Sequence, residues 1–319
     1  EYQLKSIKLP NSYMTPDLIS FYSEEMNKIT DIISNLQDRD SRIAFLNSGF
    51  QEDDEAFSIS GLWLNWRGGS DRRFYLDDSS FRMAIRMRLI LPASNAEVFC
   101  PYAGTLGRHT ENINLNDNFG HCMRCRPASG VDRFIQSRHN YLRDALEVLL
   151  KSCLYGSDPV PQRAIRHEID VRTCIPNITP GNDLIADIIA ITDINDVNSH
   201  TYVIDVTVVD PTNKSGIRKR GRAAKEAENE KRIKYNPILG APNTTFIPFA
   251  IESNGYMGHA TTGFLNMLIE RTHNLHAISN FLYLASSITA KFTALACKAG
   301  WETANMVNAP PKRRQPTAN

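Results

Sequence analysis

The chain has 319 residues, 42% of them hydrophobic and 22% charged, with a formal net charge of +1. This is the composition of a globular protein with an adequate core, in one large domain or two ordinary ones. It excludes a global basic excess, so affinity for nucleic acid must come from local clusters. No run approaches the length of a membrane span and no secretory pattern opens the chain.

Residues 1 to about 55 carry Met26, Ile29, Ile32, Ile33 and Leu36 at helical spacing against a charged face, which predicts a packed helical layer. The first residue is Glu1, so a fragment or processed piece is expected. From Gly61 to Pro92, Asp77, Asp78, Ser79 and Ser80 offer N-caps for a basic amphipathic helix. Its Arg82, Arg86 and Arg88 form either a solvated face or a phosphate-facing one.

Three of the six cysteines, Cys100, Cys122 and Cys125, cluster between Phe99 and Cys125 together with His109 and His121. In so long a chain without a secretory signal this favours a reducing compartment and a metal site over disulfides. Five potential ligands suffice for a four-coordinate structural zinc. Ala103 stands where a CxxC pair would have its second cysteine, so the fourth ligand stays open. The next apolar stripe, Leu142, Ala145, Leu146, Leu149 and Leu150, predicts a helix opened by Ser137 or Asn140. Arg138-His139-Asn140 would then lie at a helix start, where they cap the helix or meet an anion.

Glu168 follows in the segment Pro159 to Ile175, as a surface residue or a third carboxylate for the acidic pair downstream. Residues Asn182 to Pro211 predict two buried strands, 184–191 and 202–209, each with one acidic residue, Asp187 and Asp205. A carboxylate in such a strand costs several kcal/mol, roughly, unless compensated, and two of them can share a divalent cation. Lys214, Arg218, Lys219, Arg220 and Arg222 then form a cationic loop suited to a phosphate backbone, to nuclear import or to solvent. A helix from about 222 to 235 places Lys231, Lys234 and Tyr235 on one face, where a lysine near two carboxylates can act on a nucleophilic water. A buried strand at 245–252, a helix through Glu270 and an apolar helix at 280–297 complete the pattern, and Lys291 marks the last as core. The tail from Ala309 is proline-rich and basic, which predicts disorder.

Taken in order, these motifs resemble the restriction-enzyme-like endonuclease region that ends the reverse-transcriptase proteins of site-specific non-LTR retrotransposons, a branch of the PD-(D/E)XK nucleases. Trp63 to Pro92 is similar to the segment that precedes the family's CCHC zinc motif. Cys100, His121 and Cys125 then stand for the zinc ligands, with Cys122 or His109 in place of the missing cysteine. Next come Arg138-His139-Asn140, the acidic pair Asp187 and Asp205, and the Lys-x-x-Lys-Tyr element of Lys231, Lys234 and Tyr235. The order carries the resemblance, which covers roughly Gly61 to the C-terminus. Departures are Ala103, Ala186 in place of a proline before the first aspartate, a slightly longer gap between the aspartates, and Thr207 where the wider superfamily has its strand lysine.

The resemblance implies an α/β fold with a mixed sheet flanked by helices, preceded by a helical segment (1–95) and a zinc-knuckle-like module (96–136). The nuclease domain would span 137–305, with a basic tail after it. It implies Mg²⁺ or Mn²⁺ on Asp187 and Asp205 with Glu168 as third carboxylate, and Lys231 or Lys234 acting on the water or the transition state. Arg138, His139, Asn140, Tyr235 and the Arg218, Lys219, Arg220 loop would contact DNA, and structural Zn²⁺ would hold the small module. The expected partners are DNA, RNA or a reverse transcriptase, with no membrane, and the expected compartment is the nucleus. The implied activity is nicking of target DNA to prime reverse transcription. The rivals are a catalytically inactive nuclease fold that binds nucleic acid or serves a structural role, and a junction resolvase of the same superfamily.

Overall fold

A computed structural model describes residues 62–65, 72–88, 97–102, 111–115, 120–125, 129–156, 159–161, 164–175, 184–192, 199–211 and 221–308. The helix expected before residue 55, Ala103, His109, the loop residues Arg218, Lys219 and Arg220, and the tail from Ala309 lie outside them. In chain order the elements are α1 (Leu62–Asn65), α2 (Asp78–Arg88), α3 (His121–Cys125), α4 (Ser129–Leu154), β1 (Ile165–Asp170), β2 (Ile185–Ile191), β3 (Thr201–Val209), α5 (Arg222–Lys234), β4 (Thr244–Glu252), α6 (His259–Thr272) and α7 (Leu275–Asn308).

The chain is a mixed α/β protein around one four-stranded sheet of order β1-β2-β3-β4. The first three strands are antiparallel, and β4 runs parallel to β3. A parallel pair needs a long crossover, and α5 lies within it. Pro248 sits inside β4, which is tolerable because β4 is a sheet edge.

Side-chain alternation assigns the two faces. Tyr202, Ile204 and Val206 of β3 and Ile247, Phe249 and Ile251 of β4 point into a core shared with α4, α6 and α7. Val203 and Phe246 point the other way, against Tyr235 and Ile238 just after α5. Ala224 and Ala227 let α5 approach Ala250 closely. Burial on both faces explains why β2 and β3 read as continuous apolar runs.

Two helices differ from their sequence expectation. The long helix α4 begins at Ser129, not at Ser137 or Asn140. Val131 is fully buried and Phe134 and Ile135 pack beside Trp63 and Ala294, so tertiary contacts support helix upstream of the recognisable stripe. The expected boundary at 136/137 therefore falls inside one helix. Helix α7 has 34 residues, well beyond the predicted 280–297. Its first turns (Ile278, Phe281) cover the sheet, and its last turns (Trp301, Ala304) cover the cysteine cluster. Among the described residues no helix is long and apolar enough to cross a membrane. At α2 the cap is Asp77, whose Oδ1 accepts the Ser80 N–H at 2.9 Å. Partial burial works against ionisation there, but hydrogen bonds from Ser79 and Ser80 and the Lys298 charge bring its carboxyl down to about 2.

Candidate functional site

Asp187 and Asp205 stand on neighbouring strands where the sheet opens. The β2–β3 ladder ends at the pair Ile188–Ile204, and one further step of that register would set Asp187 opposite Asp205. On the other side, Ile188 faces His167 and Ala186 faces Ile169, so Glu168 stands across from Asp187. The three acidic residues thus occupy one cross-strand row. With β2 parting from β3, Asp187 Oδ2 accepts the Val206 N–H at 2.6 Å. Its Oδ1 lies 3.1 Å from His139 Nε2. Burial alone would raise the Asp187 carboxyl; His139, the Val206 N–H and the Lys231 charge outweigh it and hold the group below its ordinary value.

Asp205 is 3% exposed. Lys231 compensates it, with Nζ at 2.6 Å from Oδ1, and Lys234 Nζ stands 3.9 Å from Oδ2. Both lysines come from the last turns of α5, three residues apart and so on one helix face. The sequence expectation that α5 delivers cations to the acidic strand therefore agrees with the fold.

Other expected residues stand elsewhere. Glu168 shares the row, but its backbone takes φ +49°, the left-handed region that side chains disfavour. Its exposed carboxylate is held by Arg143 of α4, which also binds Asp144 at 3.0 Å. Among the described residues the carboxylates of Glu168, Asp187 and Asp205 do not gather into one metal-sized group. Tyr235 is fully buried, stacked on Phe246 at 4.4 Å between ring centroids, and its hydroxyl donates to the Ile185 carbonyl. Burial first, and then the Asp205 and Asp187 charges, push its phenol further above the ordinary range. It braces β2 against α5 and offers no surface to nucleic acid.

Arg138-His139-Asn140 lies in the middle of α4, so the helix-terminus reading of this triplet is corrected. Arg138 is 4% exposed and donates to Thr293 Oγ1 at 2.7 Å on α7. Its Nε has no partner among the described residues, and burial draws the guanidinium down to about 10. It ties two helices together and cannot grip a DNA backbone from there. Asn140 accepts from Gln136 on the exposed side of the same helix. His139 alone reaches the acidic row.

The second cluster is smaller and drier. Cys100 follows a short antiparallel bridge, Phe99–Asn114, with its N–H on the Ile113 carbonyl at 2.9 Å. His121 and Cys125 lie one turn apart on α3 and so share a face. The ligand atoms of Cys100, His121 and Cys125 all fall within 4.8 Å of one another, and these three can hold a metal ion. Among the described residues no other set of three or more such side chains does so. Cys122 is buried too, but it follows His121 directly and so projects about 100° round the helix. Its thiol neighbours Cys100 and Cys125 as well as Cys297 of α7, but it is not one of the three whose ligand atoms converge.

No protein-family model matches the chain, and no curated protein is similar to it at a significant level. The site therefore stands on its geometry. Sequence reasoning missed Arg143 as the partner of Glu168 and Val206 as a backbone donor to Asp187. Arg143 had a readable signal, its i+4 spacing from His139; a backbone donor has none.

Proposed function

We propose that this chain is a metal-dependent DNA endonuclease of the PD-(D/E)XK kind, resembling the nuclease region of site-specific retrotransposons. The observation that carries the reading is the Lys231–Asp205 contact of 2.6 Å beside Asp187, at the point where β2 leaves β3. Supporting it, the elements run α4-β1-β2-β3-α5-β4, with the acidic residues on the second and third strands and the lysines on the crossover helix.

Two hard carboxylate donors suit Mg²⁺, which keeps several waters and is held by one or two carboxylates plus substrate phosphate. Bound there, Mg²⁺ would lower the pKa of a coordinated water and neutralise charge on the scissile phosphate. Asp187 and Asp205 would hold it, Asp187 already oriented through both oxygens. Lys231 brings a fixed cation to the place where negative charge builds up, an electrostatic role. The exposed Arg232 and Lys234 extend that charge along α5 toward the DNA backbone. The product would be a nicked strand whose 3′-hydroxyl primes reverse transcription.

The test is nicking of supercoiled plasmid with Mg²⁺ or Mn²⁺ by this chain and by an Asp187→Ala, Asp205→Ala double variant. Nicking is expected only from the parent chain. Equal nicking by both would overturn the assigned site. The engagement of Glu168 by Arg143, which leaves the acidic pair without a third carboxylate, favours a second reading, an inactive fold that binds DNA. That reading expects tight DNA binding and no nicking from either protein.

For the second cluster we infer structural zinc. The Cys100 and Cys125 sulfurs are 3.5 Å apart. That is far beyond a disulfide and near the separation of about 3.8 Å for two thiolates bound tetrahedrally at about 2.3 Å. His121 is the third ligand, and the fourth stays open between Cys122, which neighbours both sulfurs, and His109, which lies outside the described residues. Metal analysis by mass spectrometry should find one equivalent of zinc per chain, absent from a Cys100→Ser, Cys125→Ser variant. A chelator should lower the melting temperature of the parent and leave that variant unmoved.

A further inference from the structure

His139 lies among the residues that the resemblance assigns to nucleic acid, yet its ring faces a carboxylate. Nε2 is 3.1 Å from Asp187 Oδ1, and the two side chains are only 26% and 18% exposed. A carboxylate has no hydrogen to give, so the imidazole donates. The other oxygen of Asp187 takes the Val206 N–H at 2.6 Å. These two donors come from different elements, one from the helix layer and one from the neighbouring strand. The mid-helix position of His139 matters, because Leu142, Ala145 and Leu146 press that part of α4 onto the sheet. Beyond Ile188, β2 has left β3, so pairing with β3 no longer constrains Asp187 on that side.

We infer that His139 is a positioning residue: with the Val206 N–H it fixes the plane of the Asp187 carboxylate and leaves the remaining lone pairs for a divalent cation. The inference rests on the metal-dependent nuclease reading. It moves His139 from DNA contact to support of a metal ligand, the arrangement in which outer-shell partners set ligand orientation. Its neighbour Asn140, turned toward Gln136, does not share the role.

The experiment is Mn²⁺ titration of the full chain by electron paramagnetic resonance, without DNA, for the parent and for His139→Ala, His139→Gln and Asp187→Ala. His139→Ala is expected to weaken Mn²⁺ binding about 10–100-fold. His139→Gln, whose amide N–H replaces the imidazole donor, should recover most of the affinity. Duplex binding without added divalent metal, read by fluorescence anisotropy, should be unchanged in both. Parent-like Mn²⁺ binding by His139→Ala would overturn the inference, as would equal losses in the Ala and Gln variants, which indicate packing alone. Loss of duplex binding with Mn²⁺ affinity intact would return His139 to a DNA contact. Parent-like Mn²⁺ binding by Asp187→Ala is a different failure, that of the nuclease site itself. Should His139→Ala not fold, Gln is compared with His139→Leu, which fills the space without a donor.

Discussion

On the proposed nuclease reading, replacing Lys231 with alanine is expected to lower single-turnover nicking roughly 10²–10³-fold, the usual consequence of deleting one preorganised electrostatic group at a reacting centre. The lysine is set 2.6 Å from Asp205 by the last turn of α5, and α5 is pressed to the sheet by Ala224 and Ala227. Lys234 makes the comparison informative. It stands 3.9 Å from the other oxygen of Asp205 and is 44% exposed, so solvent screens it. Its replacement by alanine should cost less than about fivefold, the scale of an exposed ion pair. Lys234 also bounds the stability effect at 231, because it remains to compensate a carboxylate that is almost wholly buried. Single-turnover rates at saturating plasmid, with duplex affinity measured alongside, separate chemistry from binding. If Lys234→Ala proved the more damaging, the reactive cation would belong to that lysine.

Stability should depend on pH through Glu252, and Glu252→Gln should exceed the parent by about 3 kcal/mol near pH 8. Glu252 ends β4, is 2% exposed and accepts the Ala224 N–H of the first turn of α5 at 3.2 Å. Burial drives its carboxyl up from 4.5 to about 7, against the backbone donors that favour the charge, with Asp210 adding like charge. The folded state therefore binds this proton more tightly than the unfolded chain. The associated stability is fully present below about pH 4.5 and is lost as pH rises through about 7. An uncharged glutamine keeps an acceptor for α5 and removes the ionisation. Urea midpoints near pH 5 and pH 8 check this; the gap between the two proteins should be much larger at the higher pH. A gap equal at both would mean that Glu252 ionises normally.

The helix that carries Lys231 is thus anchored at its first turn by one buried acid and tied near its last turn by another. A third buried carboxylate, that of Glu228, accepts the Ala260 N–H at 2.9 Å and joins α5 to the start of α6. Its closeness is enforced by Gly258, where an added Cβ would stand 1.9 Å from the Glu228 carboxylate.

Strand and helix periodicity determined much of this architecture locally. The runs at 184–191, 202–209 and 245–252 are strands because β-branched residues without polar alternation suit burial on two faces, and they appear at 185–191, 201–209 and 244–252. The polar interruptions Asp187 and Asp205 marked the site for the same reason, since a charge in such a run must be compensated. The cysteine and histidine group was legible only as a cluster within a loop-rich stretch that offered Cys122 equally; helix α3 is what sets His121 and Cys125 one turn apart beside Cys100. What only the tertiary structure decided is where each polar side chain goes. Arg138, His139 and Asn140 are consecutive, but helical geometry sends them about 100° apart, to the core, to Asp187 and to the exposed side of α4. The start of α4 at Ser129 and the length of α7 were equally set by partners distant in sequence. A sequence records which residues are able to pair; the packing of α4 across the open end of the β2–β3 ladder selects which of them do.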